Sequence, residues 1–226
     1  MKLLAIDTST EACSAALAID NAVTHTRFEL APQRHAELIL PMVDQLLREA
    51  GGLRVGELDG LAFGQGPGTF TGVRIAAGII QGIALGAELP IVPVSSLAAL
   101  AQGLFSERGQ ARVLAAIDAR IGEIYWGAYQ VDERGILMAV QAQCVGKPDT
   151  VPVPVAGRWF GAGTGWDSYG PILRERLGDR LLGIEPRRYP HAREVAVLGI
   201  EAFKAGHGVV QAEYALPVYL RDQVID

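Results

Sequence analysis

The chain has 226 residues, of which 50% are hydrophobic and 20% are charged, and its formal net charge is −5. This length suits one large domain or two small ones with a substantial core, and the composition excludes a disordered chain. A protein that binds nucleic acid by itself normally carries a basic excess, so any contact with RNA is expected to be local or made through a partner.

The chain has too few cysteines and histidines to predict a disulfide framework or a metal site. Cys13 and Cys144 cannot build a disulfide scaffold, and the four histidines show no metal-ligand spacing. The N-terminus reaches Asp7 before an apolar core of signal-peptide length can form. The most apolar run, Ile75 to Ala87, is shorter than the ~20 residues that span a bilayer. These features predict a cytoplasmic protein without membrane contact.

In chain order, the first half alternates strand and helix patterns. Strands are predicted over 2–7, 12–19 and 22–30, joined as an antiparallel meander, and a helix follows over 35–50. A buried strand over 58–65, a helix over 71–86, a strand over 89–94 and a helix from Ser95 to about Phe105 complete this half. The pattern predicts a mixed α/β fold.

The loop between the fourth strand and the second long helix is rich in glycine, with the sequence GQGPGTFTGVRIAAG over 64–78. A helix N-terminus after such a loop is a common phosphate site. However, Gly72 is followed by Val73 instead of the phosphate-binding lysine, and the glycine spacing does not match a dinucleotide fingerprint. Two interpretations stay open: a tight turn, or a vestigial nucleotide site formed by Asp7, Thr8, Ser9, Thr10, Gly66, Gly68 and Asp118.

The helix after this loop carries glycine at every fourth position: Gly78, Gly82 and Gly86. Each glycine destabilises a helix by about 0.5–1 kcal/mol relative to alanine, so three on one ridge need a compensating contact. That contact is either packing within the lobe or another chain. We expect a partner surface made of Ile39, Met42, Val43, Leu46, Ile75, Gly78, Ile79, Gly82 and Gly86.

The second half of the chain repeats the first. The triplet Ala-Ile-Asp ending at Asp7 recurs ending at Asp118, and each copy is followed by a polar turn and a further strand. The repeat predicts two duplicated α/β lobes, over 1–105 and 106–226. Helices are predicted over 166–177 and 192–205, and the last residues are expected to be irregular or strand-like.

Five stretches in order, DTST, RHAELILPMVDQLL, GQGPGTFTGVRIAAG, IVPVSSL and IDARIGEIY, resemble the bacterial TsaB (YeaZ) family over essentially the whole chain. The resemblance implies the duplicated actin/Hsp70/sugar-kinase (ASKHA) fold. It also implies the role of dimerisation subunit in the machinery that makes N6-threonylcarbamoyladenosine at tRNA position 37. In that machinery a TsaD-type subunit transfers the threonylcarbamoyl group.

The resemblance further implies that this chain is not itself catalytic. The catalytic relative carries an HxxxH metal pair where this chain has Ser96 and Leu100, so no metal is expected there. An acidic pair of that relative corresponds here to Glu11-Ala12, so one carboxylate is missing.

The expected partners are a TsaD-type subunit, a TsaE-type ATPase, and a second copy of the chain when TsaD is absent; tRNA is expected to bind only through the complex. No intrinsic cofactor is expected, and ATP or ADP belongs at the interface of the complex. The alternative function is an independent ATP-dependent kinase or hydrolase that uses Asp7 and Asp118 with Mg²⁺.

Overall fold

A computed structural model describes residues 1–221. Its strands are β1 (Leu3–Asp7), β2 (Ala12–Ile19), β3 (Ala22–Leu30), β4 (Gly60–Gly66), β5 (Ile91–Ser95), β6 (Arg112–Arg120), β7 (Glu123–Val131), β8 (Leu137–Ala139), β9 (Cys144–Gly146), β10 (Trp159–Ala162) and β11 (Leu181–Glu185). Its α-helices are α1 (His35–Glu49), α2 (Phe70–Ala87), α3 (Ser96–Arg108), α4 (Thr164–Leu177) and α5 (Ala192–Ala205). Short 3₁₀ turns lie at Val55–Glu57, Gly178–Arg180 and Ala212–Tyr214.

The chain forms two compact units, of which unit 1 comprises Met1–Ala99 and Pro190–Val218. Its sheet has the strand order β3-β2-β1-β4-β5, with β1 antiparallel to β2 and parallel to β4. Successive residues of β1 point to opposite faces, so Leu4 and Ile6 join one apolar core while Leu3 and Ala5 join another. The first core is covered by α1 and α2 and the second by α5, which gives three layers.

Unit 2 comprises Leu100–Tyr189 and, within the described residues, 219–221. Its sheet has the order β11-β10-β6-β7-β8, and β9 also pairs with β7. The core contains Trp126 and Trp166, whose rings lie 5.9 Å apart. The indole N–H of Trp166 donates to the carbonyl of Leu114 at 2.9 Å, so this large side chain is buried without an unsatisfied donor.

The two sheets share one topology. In each sheet an antiparallel pair, β1/β2 or β6/β7, is extended by two parallel strands, β4 and β5 or β10 and β11. Asp7 and Asp118 lie near the ends of the corresponding strands β1 and β6. The predicted duplication is therefore present as two sheets of the same order.

The units differ from the predicted lobes in two respects: the position of α5 and the boundary within α3. Helix α5, predicted to lie in the second lobe, packs in unit 1 because its apolar face fits the β1/β4 surface of that sheet. Val195, Ala196 and Ile200 are buried there, and a Cβ at Gly199 would lie 2.9 Å from the Cβ of Ala62. The boundary between the units falls inside α3, between Ala99 and Leu100.

Helix α1 corrects part of the predicted partner surface. Ile39, Met42, Val43 and Leu46 are at most 8% exposed and belong to the core of unit 1. They form the stripe that an amphipathic helix turns toward its own sheet, so they are not available to another chain. The outward residue Leu40 is 50% exposed.

We predict that Leu46→Ala lowers the free energy of unfolding by about 2–5 kcal/mol, because it leaves a cavity in a packed core. Leu40→Ala, on the outer face of the same helix, is the matched control and is expected to change it by less than about 0.5 kcal/mol. Urea denaturation of both variants measures the difference; equal effects would contradict the assignment of the two faces.

Candidate functional site

The glycine loop packs directly on the turn that follows β1. A Cβ at Gly68 would lie 2.2 Å from the carbonyl oxygen of Ser9, and one at Gly72 would lie 2.1 Å from that of Thr8. The backbone N–H of Thr69 donates to the Ser9 carbonyl at 2.7 Å, and the Thr8 hydroxyl donates to the Gly72 carbonyl at 2.7 Å. Loop and turn therefore occupy each other's hydrogen-bonding groups, and the glycines permit that close approach.

Asp7 is sealed within this contact. Its side chain is 0% exposed, and a Cβ at Gly64 would lie 1.8 Å from its Oδ2. Oδ1 accepts from the backbone N–H of Ser9 at 2.9 Å and from the Ser9 hydroxyl at 2.8 Å. The hydroxyl of Ser96, from the start of α3, donates to Oδ2 at 3.5 Å.

Burial raises the pKa of Asp7 to about 6, from an ordinary value of 3.8. The desolvation of the charged form outweighs the hydrogen bonds from Ser9 and Ser96, which lower the pKa. Burial therefore destabilises the ionised form of Asp7, and the fully buried carboxylate is not accessible to a ligand in this arrangement.

Asp118 stands at the corresponding end of β6 in unit 2 and is only half-buried. Its Oδ2 accepts from the hydroxyl of Ser168 at 3.0 Å, and its Oδ1 accepts from the backbone N–H of Arg120 at 2.8 Å. The backbone N–H of Asp118 donates to the hydroxyl of Thr164 at 3.0 Å. Asp118 therefore ties β6 to the first turns of α4.

The outer face of α2 is made of glycine and apolar residues. An added Cβ at Gly78, Gly82 or Gly86 would meet no atom within 4 Å, and all three residues are exposed. Leu85, on the same side, is 69% exposed, while Ile75 and Ile79 are partly buried at the flanks of this face. Nothing in unit 1 packs against the three glycines.

The inner face of α2 belongs to the unit 1 core through Ala76, Ala77, Ile80 and Ala84. By length and composition α2 could cross a bilayer, and it is the one helix of residues 1–221 that could. A single such helix is weak evidence, because the core helix of a soluble protein has the same composition. Only 33% of this stretch is buried.

Histidines and serines considered from the sequence have structural partners. His35 Nε2 lies 2.8 Å from the carbonyl oxygen of Thr10, and His191 Nδ1 accepts from the backbone N–H of Arg193 at the start of α5. Ser95 Oγ accepts from the backbone N–H of Ala98 and so caps α3. Within residues 1–221 no cluster of three or more His, Cys, Asp or Glu side chains is placed to hold a metal ion.

Comparisons with known proteins place the chain. The family model for TsaD, described as tRNA N6-adenosine threonylcarbamoyltransferase, matches residues 21–226. The chain is 45% identical to the Escherichia coli tRNA threonylcarbamoyladenosine biosynthesis protein TsaB, over 99% of this chain and 96% of the relative. The chain belongs to the TsaB (YeaZ) family. A solved Pseudomonas aeruginosa structure, described as similar to peptidase YeaZ, is 46% identical, covers 97% of this chain and 99% of its own, and superposes with a TM-score of 0.89.

The fold extends beyond this family. Component A of the (R)-2-hydroxyglutaryl-CoA dehydratase of Acidaminococcus fermentans, at 10% identity, has a TM-score of 0.50 over 91% of this chain and 99% of its own. At this identity the likeness shows architecture alone. Together with the repeated sheet order, it confirms the predicted ASKHA fold.

The structure brings together Asp7, Thr8, Ser9, Thr10, Gly66 and Gly68 in unit 1, whereas Asp118 lies in unit 2. Sequence reasoning missed the role of Ser96, which hydrogen-bonds Asp7. It also missed the reason for Gly161, where a Cβ would lie 2.4 Å from the Trp166 ring.

Two glycines of α2 make a matched pair for testing this geometry. Gly72→Ala is expected to lower the free energy of unfolding by about 1–3 kcal/mol, because its Cβ collides with the Thr8 carbonyl. Gly82→Ala is expected to raise it by about 0.5–1 kcal/mol in the monomeric chain, because the helix gains alanine without a clash. Thermal unfolding in dilute solution measures both; a destabilised Gly82→Ala monomer would contradict an open outer face.

The raised pKa of Asp7 predicts that the stability of the protein depends on pH. Because its folded pKa of about 6 lies above 3.8, its contribution to stability is full below about pH 4 and is lost as the pH rises to about 6. The loss is on the order of 3 kcal/mol. Asp7→Asn should therefore flatten the decline between pH 4 and 6, as measured by urea denaturation across this range. An unchanged decline would refute the burial of a charged carboxylate.

Proposed function

We propose that this chain is a non-catalytic scaffold subunit of the tRNA threonylcarbamoyladenosine machinery. In this role it pairs with a TsaD-type catalytic subunit through the outer face of α2. The observation that carries the proposal is the exposed row of Gly78, Gly82 and Gly86, around which unit 1 leaves open space. Each glycine lowers helix stability, and no contact within the unit compensates for it.

The surface chemistry of α2 supports pairing with another chain. Phe70 is 49% exposed and Leu85 is 69% exposed, and Arg74 is the charged residue of this helix. A contiguous face with so little charge is typical of an interaction surface, and bare backbone lets a second helix approach closely. Ile75 and Ile79 would then supply apolar contact beside the glycines.

The family supports the choice of partner. The TsaB relative is named for tRNA threonylcarbamoyladenosine biosynthesis, and the matching family model is that of the transferase itself. A chain descended from the same fold as its catalytic partner can use a similar surface to pair with that partner or with a second copy of itself. We extend the proposal to a homodimer in isolation, a docking surface for a TsaE-type ATPase, and ATP or ADP bound at the interface of the complex, with tRNA contacted through the complex.

We base the proposed lack of catalysis on the hydrogen bonding and packing of the residues that were expected to form a vestigial nucleotide site. The Asp7 carboxylate accepts hydrogen bonds from Ser9 and Ser96, and the loop that would receive a phosphate is packed on the Asp7 turn. The positions of the HxxxH pair hold Ser96 and Leu100, whose side chains carry no imidazole. Transfer chemistry would then belong to the partner.

A second candidate is an independent ATP-dependent kinase or hydrolase. Its supporting observation is that Asp7 and Asp118 occupy equivalent strand ends in the two sheets, as paired Mg²⁺-associated carboxylates would. ATP turnover by the purified chain, lost in Asp7→Asn, would favour it. A peptidase has less support, because Ser95, Ser96 and His191 serve as helix-capping or turn-binding groups.

We predict that Gly82→Arg abolishes co-purification with a TsaD-type subunit from the same source, because a long charged side chain would stand on the contact face. Ile172→Arg places the same side chain at a 42% exposed apolar position of α4 and serves as the control. Pairing that survives Gly82→Arg would refute the assigned surface. Both variants should keep the unmodified chain's circular dichroism spectrum.

Reconstitution of tRNA modification tests the scaffold role separately. With TsaD-type and TsaE-type proteins and tRNA supplied, modification is expected to require this chain and to fall at least tenfold with Gly82→Arg. The Asp7→Asn variant is expected to support modification normally. Loss of modification with Asp7→Asn and retention with Gly82→Arg would favour the enzymatic candidate instead.

A further inference from the structure

A concave pocket of about 430 Å³ lies at one edge of the unit 2 sheet, where β6, β10 and β11 begin and β7 ends. Its polar lining comes from Gln110, Arg112, Gln130 and Arg158. Open α/β sheets usually bind ligands beyond the carboxyl ends of their strands. This pocket is at the opposite edge, six residues or roughly 20 Å along β6 from Asp118, so it is separate from the inherited nucleotide site.

The two arginines in this pocket lack carboxylate partners. Arg112 Nε donates to Gln130 Oε1 at 3.1 Å, and across residues 1–221 the Arg158 side chain has no hydrogen-bond or ion-pair partner. No carboxylate lines the pocket. Several arginines elsewhere pair with carboxylates, as Arg134 does with Asp132 at 2.7 Å and Arg188 with Glu107 at 2.7 Å.

Arg112 and Arg158 are exposed, and two contacts orient the Arg112 side chain. A Cβ at Gly157 would lie 2.7 Å from Arg112 Nη1, so the guanidinium rests against bare backbone while Gln130 fixes its Nε. Its terminal N–H groups remain to donate, together with the guanidinium of Arg158. Planar guanidinium groups bind phosphate oxygens in pairs, and the side-chain amides of Gln110 and Gln130 supply further donors.

We propose that this pocket binds the phosphate group of a small phosphorylated molecule. Charge decides the class of ligand: two guanidinium groups lining one pocket match the charge of about −1.5 to −2 on a phosphomonoester, whereas a carboxylate or an RNA phosphodiester carries one negative charge. The pocket volume, which falls in the range of small-molecule pockets, also favours a small ligand over an RNA strand. The proposal does not depend on pairing through α2.

Isothermal titration calorimetry with inorganic pyrophosphate, at constant ionic strength, tests the pocket in the full chain. Saturable binding is expected, and Arg112→Gln and Arg158→Gln should each weaken it about tenfold or more. Arg48→Gln is the control, because Arg48 pairs with Asp44 on α1 in unit 1 and should leave the affinity unchanged. Melting temperatures of all three variants should stay within a few degrees of the unmodified chain.

Parallel titrations with citrate and with tRNA separate the sources of negative charge. Pyrophosphate binding that depends on both arginines, with citrate at least tenfold weaker, supports the proposal. The proposal is overturned by absence of saturable pyrophosphate binding, by equal weakening in Arg48→Gln, by citrate binding as tightly, or by arginine-dependent binding of tRNA without binding of pyrophosphate.

Discussion

The glycine loop packs directly on the turn that follows β1. Gly68 lies against the carbonyl of Ser9 and Gly72 against that of Thr8, and much of the arrangement of unit 1 depends on this contact. It fixes where α2 begins, since Thr69 caps the helix while its own N–H is bound to the turn after β1. A side chain at either glycine would push loop and turn apart. The loop also closes the space around Asp7, so one constraint sets both the start of α2 and the burial of Asp7.

Helix α2 has two faces with different surroundings, one packed in the core and one exposed. Ala76, Ala77 and Ile80 face the sheet and are buried, which anchors the helix in the core. The glycines at 78, 82 and 86 then point away from the core, because residues four apart lie on one side of a helix. A helix that only covered its sheet would gain stability from alanine at these three positions. The open space around these three glycines is the observation on which the proposed partner surface rests.

The sequence predicted the fold correctly where a pattern had a single structural interpretation. The apolar runs of β1 and β2 and the repeated Ala-Ile-Asp triplet led to the sheets and the duplication, and Ser95 marked the start of α3. The apolar stripe of α1 had two meanings, core and partner surface, and burial of Ile39 and Leu46 decides for the core. Strands β10 and β11 were missed because WFGA and LLGIE are short and contain glycine, which propensity disfavours in strands. Their pairing depends on distant β6, which local patterns do not encode.

The two aspartates show how one fold position can diverge. At Asp118 the strand end stays partly open, and the carboxylate accepts from Ser168 while the backbone anchors to Thr164. At Asp7 the glycine loop has closed over the same position, and the buried carboxylate has a raised pKa. A working Mg²⁺ site needs the opposite conditions: a carboxylate with free lone pairs and access for hydrated metal. In unit 1 these lone pairs are directed at Ser9 and Ser96, so the carboxylate binds the turn after β1 and the start of α3. That turn is also the one on which the loop before α2 packs, through Gly68 and the carbonyl of Ser9.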